Sequence, residues 1–298
     1  MRIEDIRKTA VIGSGAMGNQ IAELLSRVAG YEVHLVDMND GLVQKGLKAI
    51  DERLERFFVA KGKMSAAEKD AVMERMKGIV DLEKAVEDVE FVIEAVPEVM
   101  STKKDVFRRL DESAPTAILA SNTSTLNITE IGASVHKRPE RVIGMHFFNP
   151  VAVMKLVEVV RGAHTSEEAV SVVMTMARRL GKEPVVCRDT SNGFLANRAY
   201  EALRAEAIQM VWEKVASPED IDKALKFGYN LPAGPLELGD QLGSWGRRAE
   251  MEEDRIKELG NEKGRLHPLI RTMVRAGYVG GPGKKGIYDF WKEVLAKW

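Results

Sequence analysis

His146 ends an apolar run at 142–146, and Glu158 lies twelve residues further on, inside Leu156-Val157-Glu158-Val159-Val160. An imidazole titrating near pH 6.5 is suited to exchanging a hydroxyl proton at neutral pH. A carboxylate inside an apolar strand is costly unless paired. Glu158 therefore reads as the group that would fix the imidazole's tautomer and support its protonated form. A turn at Asn149-Pro150 is able to bring the second run back beside the first, although spacing alone only permits this. More polar residues follow apolar runs in Ser121-Asn122-Thr123-Ser124 and in His146-Phe147-Phe148-Asn149-Pro150. Ser124 reads equally well as the cap of a helix near Ile128, and Asn197 as a surface amide beside Arg198. The other histidines, His34, His136, His164 and His267, read as solvated or core residues.

Proton exchange at a carbinol needs a hydride partner, and the N-terminal segment offers a place for one. Thr9 to Gly18 reads TAVIGSGAMG, with Gly13, Gly15 and Gly18 in GxGxxG spacing and Asp37 closing the next apolar run nineteen residues later. In this pattern Gly13 makes the tight turn, Gly15 lets backbone approach a pyrophosphate, and Gly18 lets helix and strand pack closely. Helix N-terminal amides would hold the phosphates. Asp37 is placed to accept bonds from an adenine ribose, and no arginine follows it, so NAD is expected rather than NADP. The cofactor contacts read here are Gly13, Ala16, Met17, Gly18, Gly15 and Asp37, with Ala95 and Asn122 at later strand ends. No metal site is read.

These residues need a sheet to carry them. Short β-rich runs at 10–12, 33–37, 78–80, 91–94, 118–121, 142–146, 154–159 and 184–187 alternate with helical patterns, as in a doubly wound parallel sheet. The second crossover is long, with helical periodicity over 40–63 and 65–77. Met64, Ser65 and Glu68 form a staple and capping box, so a helical hairpin is expected there. Beyond Arg188 helical patterns dominate, at 194–215, 218–227, 235–259 and 267–276. The expected class is α/β: a Rossmann domain with a hairpin insertion over 1–188, then an all-α domain over 189–298. Helices side by side without a sheet leave apolar faces to bury, so the second half is expected to pack on another copy as a homodimer.

Composition excludes other classes. Lys and Arg number 44 against 45 Asp and Glu, a net charge of −1 that provides no basic field for nucleic acid. No apolar run approaches the length of a membrane helix. MRIEDIRK leads almost directly into the first strand and leaves no room for a targeting peptide. A single cysteine, Cys187, excludes an intrachain disulfide and fits a reducing cytoplasm.

GSGAMG, IEAVPE, SNTST, GMHFFNPVAVMKLVEVV and GFLANR together resemble the 3-hydroxyacyl-CoA dehydrogenase family, from about residue 8 to residue 290. The resemblance implies NAD-dependent, reversible oxidation of an L-3-hydroxyacyl-CoA to a 3-ketoacyl-CoA. It makes His146 the general acid–base and Glu158 its support. Ser124 and Asn197 would hydrogen-bond substrate oxygens, Asn149 would lie near the nicotinamide, and Glu98 and Lys103 would touch the cofactor's ribose and carboxamide region. Arg53, Arg56, Lys61 and Lys63 near the hairpin tip offer cations to CoA phosphates. A dehydrogenase of a free β-hydroxy acid and a non-catalytic NAD-binding protein are the alternatives.

The chain departs from the family pattern in three places. Gly234-Pro235-Leu236-Glu237 leads to Asp240-Gln241-Leu242-Gly243-Ser244-Trp245, with an indole where relatives carry leucine and aspartate. Gly280-Gly281-Pro282-Gly283-Lys284-Lys285-Gly286 replaces a basic, polar segment, and Ser191-Asn192 stands for a single proline. All three leave the acyl group's length or ring content open.

Overall fold

Strands buried on both faces read as continuous apolar runs, and Phe91–Glu94, Ile118–Ser121 and Val142–Phe147 are buried at every position. The computed structural model describes residues 2–190 and 193–297, without the side chains of 254, 258, 261 and 263. The expected extra residue at Ser191-Asn192 lies outside the described residues.

The chain divides into two compact units, the first ending at Phe194 and the second starting at Leu195. In order, the first holds β1 (Lys8–Ile12), α1 (Gly18–Ala29), β2 (Glu32–Val36), α2 (Asp40–Leu54), α3 (Ala66–Glu74), β3 (Met76–Ile79), α4 (Leu82–Val86) and β4 (Phe91–Glu94). There follow α5 (Met100–Ser113), β5 (Ile118–Ser121), α6 (Ile128–Gly132), β6 (Val142–Phe147), β7 (Leu156–Arg161), α7 (Glu167–Arg179) and β8 (Glu183–Arg188). The strands form one sheet in the order β3-β2-β1-β4-β5-β6-β7-β8. It is parallel from β3 to β6, β7 runs antiparallel to β6, and β8 is parallel to β7. Strand order reverses between β1 and β4, the switch point outside which such sheets bind ligands.

Two apolar cores lie against this sheet. One joins Val33 and Ile93 to Ile21 and Leu25 of α1, Ile50 of α2 and Met176 of α7. The other joins Ala10 and Val92 to Val86 of α4, Phe107 and Leu110 of α5, and Ile131 of α6. Helices thus pack on the sheet in two sets, as expected of double winding.

The hairpin differs in detail from the sequence reading. α2 ends at Leu54, and Glu55–Val59 continues as one wider turn. Ser65 and Glu68 cap α3 reciprocally, as expected. Residues 76 and 77 belong to β3 and not to the helix, because Met76 and Lys77 pair with Val33 and His34 of β2. Tertiary pairing there overrides a helical pattern. Val28, in line with buried Ile21, Leu24 and Leu25 of α1, is exposed.

The second unit is helical: α8 (Ala196–Trp212), α9 (Pro218–Tyr229), α10 (Pro235–Gln241), α11 (Ser244–Glu250), α12 (Glu252–Gly264), α13 (Pro268–Arg275) and α14 (Ile287–Glu293). Its core gathers Ile208, Leu236, Trp245, Ile270, Met273 and Phe290. The run 235–259, expected as one helix, is three: Gly243 at φ +63° separates α10 from α11, and Met251 separates α11 from α12.

Candidate active site

Each glycine of the N-terminal turn meets a different constraint. Gly13 has φ +103°, and a Cβ there would lie 2.6 Å from the Ala95 carbonyl oxygen. At Gly18 a Cβ would lie 1.7 Å from the Gly13 carbonyl oxygen, so helix and turn could not pack. Around Gly15 a Cβ would meet nothing within 4 Å, which leaves its backbone open to a ligand. Directly after β2, Asp37 accepts bonds from the Ser14 N–H at 2.8 Å, the Ser14 hydroxyl at 2.7 Å and the Met38 N–H at 2.8 Å. Its carboxylate is thereby aimed from the strand end beside the glycine turn. These features fit a dinucleotide: an open backbone for the pyrophosphate and a fixed acid for the ribose.

Glu98 collects an unusual number of donors. One carboxylate oxygen accepts from the Thr123 hydroxyl at 2.6 Å, the Ser124 N–H at 2.8 Å and hydroxyl at 3.2 Å, and the Thr125 N–H and hydroxyl at 3.1 Å. Its other oxygen lies 3.3 Å from Lys103 Nζ. Burial alone would raise the Glu98 pKa, but the Lys103 charge and the Thr123 and Ser124 bonds outweigh it and hold the carboxyl below its ordinary range. Lys103 is buried and also bonds Glu94 at 2.6 Å, and Glu94 accepts from the Ser121 hydroxyl at 2.6 Å. Ser124 is thus a donor in this network, and α6 is capped by Asn127.

His146 and Glu158 face each other across the antiparallel β6–β7 pair, in direct register. Both are buried, and His146 Nδ1 lies 2.8 Å from Glu158 Oε2. The ring sits between Phe148 and Phe194, with centroids 4.5 and 5.9 Å away. With Nδ1–H donating to the carboxylate, Nε2 presents its lone pair. Among the described residues Nε2 has no hydrogen-bond partner.

Two residues absent from the sequence reading hold the β6–β7 connection. Gln20 Nε2 donates to the Ala16 carbonyl at 2.7 Å and to Asn149 Oδ1 at 3.3 Å, while its oxygen accepts the Val151 N–H at 2.9 Å. It ties the glycine turn to Asn149. Buried Lys182 donates to the Val151 carbonyl and, at 2.9 Å, to that of Met154. The latter contacts keep 151–154 out of the ladder, so β7 starts at Leu156 and not at 154 as expected. Gln20 shares its helix face with Glu23 and Arg27, so nothing local marked either Gln20 or Lys182.

Asn122 accepts the Phe147 N–H at 2.9 Å through its side chain, and Ala95 donates its N–H to Ile12 at 2.7 Å. Asn197 lies in the first turn of α8, in the second unit, and is half-buried. Of the hairpin cations, Arg53 is paired with Glu23, and Arg56 and Lys61 lie over the Phe57 ring. Cys187 is half-buried, and burial, then Glu158 and Asp189, push its thiol up to about 11. Its protonated form is thereby favoured, the opposite of what activates a thiol as a nucleophile.

A side chain able to take up a proton, linked through Asn149 and Gln20 to a turn built for a dinucleotide, is what oxidation of an alcohol requires. The protein is therefore an oxidoreductase of the dinucleotide-dependent class. More narrowly, it belongs to the 3-hydroxyacyl-CoA dehydrogenase family: residues 8–190 match the model of that family's NAD binding domain, and residues 193–290 that of its C-terminal domain. Its cofactor is NAD. It is 44% identical over 96% of its length to a probable 3-hydroxybutyryl-CoA dehydrogenase of Bacillus subtilis, covering 98% of that protein. To the 3-hydroxybutyryl-CoA dehydrogenase of Clostridioides difficile it is 42% identical, over 95% of this chain and 99% of that one. The crystal structure of (S)-3-hydroxybutyryl-CoA dehydrogenase from Ralstonia eutropha superposes with a TM-score of 0.87 at 37% identity, over 95% of this chain and 99% of that one.

Proposed function

We propose that this chain catalyses reversible, NAD-dependent oxidation of an L-3-hydroxyacyl-CoA to the 3-ketoacyl-CoA, with His146 as general acid–base. NAD, when bound, supplies the hydride acceptor. The hydroxyl proton passes to His146 Nε2 as the carbinol C–H bond breaks and the carbonyl forms. Glu158 holds the imidazole in the required tautomer and offsets the positive charge that develops on it. Asn197 and the Ser124 hydroxyl, turned from Glu98 toward the substrate, donate hydrogen bonds to substrate oxygens, and the Ser124 N–H on Glu98 keeps that residue in place. Gly13, Gly15, Ala16, Met17, Gly18 and Asp37 hold the pyrophosphate and adenine ribose. Ala95, Glu98, Lys103, Asn122 and Asn149 line the path to the nicotinamide.

The observation that carries this reading is the 2.8 Å bond between His146 and a fully buried Glu158. Purified protein is expected to oxidise NADH on addition of a 3-ketoacyl-CoA, followed at 340 nm. No turnover with acetoacetyl-CoA, with longer chains or with cyclic 3-ketoacyl-CoAs would refute it.

Assembly as a homodimer through the helical unit belongs to the same proposal. Phe227 and Tyr229 are 81% and 78% exposed there, with Val215 and Leu242 also exposed. No helix among the described residues is long and apolar enough to cross a membrane. The free Cys187 supports a cytoplasmic location.

A further inference from the structure

In the second unit, Arg204 of α8 and Arg248 of α11 share a single carboxylate, Glu201, and Arg255 of α12 lies near enough for its charge to act on Arg204. Arg255 has no ion-pair partner among the described residues. Arg204 is 8% exposed, yet its Nε–H is buried without an acceptor, and the hydroxyl of neighbouring Tyr200 is likewise buried and unpartnered. Burial, with the charges of Arg248 and Arg255, holds the Arg204 guanidinium down to about 10. An excess of buried positive charge with unused donors is expensive in a protein interior unless an anion completes it.

The packing around Arg204 involves a residue that departs from the family pattern. The Trp245 ring lies 5.8 Å and the Tyr200 ring 5.6 Å from its guanidinium carbon, within cation–π range. Trp245 is fully buried and donates its N–H to Asp240 at 2.6 Å. Its indole fits only because residue 239 is glycine, since a Cβ there would lie 2.1 Å from the ring. The indole and its glycine thus form one wall of the arginine cluster.

Asn197, Tyr200, Glu201 and Arg204 follow i, i+3, i+4, i+7 spacing and share one stripe of α8. Helical side chains lean toward the N-terminus, and the Arg204–Glu201 pair shows that direction here. The guanidinium therefore lies about one turn, roughly 5 Å, along the axis from the level of Asn197. We infer that this cluster binds the terminal carboxylate of the acyl group, so that the substrate is the CoA thioester of a short dicarboxylic acid. This rests on the proposal that Asn197 touches the substrate's oxygens. A few methylenes separate the carbinol from the far carboxylate, and Arg204 with Tyr200 receives that carboxylate through a forked pair of N–H donors and a hydroxyl.

The test compares 3-ketoadipyl-CoA with 3-ketohexanoyl-CoA, which has the same chain length and a methyl end. The wild-type protein is expected to favour the carboxylated thioester in kcat/KM by about 10- to 100-fold, the range for a charge-assisted contact. Arg204→Met should lower that ratio by a similar factor, and Arg204→Lys should restore it only in part. Should Arg204→Met fail to fold, Tyr200→Phe, which removes one oxygen atom, should still lower the ratio about three- to tenfold. A wild-type ratio of one or less, or a ratio unmoved by Tyr200→Phe and every folded Arg204 variant, would overturn the inference and leave the dehydrogenase proposal standing. Failure of the wild type on both thioesters would overturn the two together.

Discussion

At the scale of single residues, the buried imidazole–carboxylate pair makes predictions that differ for its two members. His146→Gln keeps the size and polarity of the side chain but removes the base. Turnover should fall by about a hundredfold or more while NADH affinity, read by fluorescence titration, stays within about twofold. Retained turnover would end the assignment. Glu158→Gln should move the acidic limb of the oxidation pH–rate profile to lower pH, because the protonated ring loses its counter-charge; an unaltered profile would contradict the support role. Glu98 is a matter of stability as well as position. Its carboxyl is held below the ordinary range in the folded protein, so its stabilisation is present at neutral pH and lost as pH falls below about 4. The difference in Tm between wild type and Glu98→Gln should be largest near pH 7 and shrink below about pH 4. A gap constant from pH 7 to pH 3 would show that the Lys103 and hydroxyl contacts do not favour the ionised form.

At the scale of elements, the β1–α1 turn separates what the fold needs from what the ligand needs. Gly13→Ala puts a side chain at positive φ and against the Ala95 carbonyl, so it should cost about 1–3 kcal/mol of stability or more in chemical denaturation. Gly15→Val meets open space within the protein. It should leave stability within about 0.5 kcal/mol and raise the NADH Kd at least about tenfold. Equal effects of the two substitutions on stability would show that Gly15 is there for the backbone and not for a ligand. The β6–β7 connection is the other element that carries function, since Gln20 and Lys182 decide where the ladder resumes after Asn149.

At the scale of the whole molecule, the first unit contains the turn, the Glu98 network and the imidazole pair, while the second contains Asn197 and the arginine cluster. Exposed Phe227 and Tyr229 make self-association the prediction here. Sedimentation equilibrium should give twice the chain mass, and Phe227→Asp should shift the population toward monomer. A wild-type monomer at micromolar concentration would remove the dimer.

Much of this was legible without coordinates, for a physical reason. Glycine spacing, an acid at a strand end and alternation of apolar periods are local signals, each set by the steric needs of a few adjacent residues. They determined the doubly wound domain, the glycine turn of Gly13, Gly15 and Gly18 with Asp37 beside it, and the helical character of the remainder. His146 and Glu158 stood out as polar residues in apolar runs, but only the antiparallel register of β7 puts them opposite one another, because a period of two carries no strand direction. The helix end at 74–77 was decided by a partner far away in sequence, β2 against Met76, while 235–259 is broken at Gly243, whose positive φ periodicity does not reveal. Gln20 bridging to Asn149, the donors converging on Glu98 and Arg248 reaching Glu201 are all long-range encounters, and these the packing alone decided.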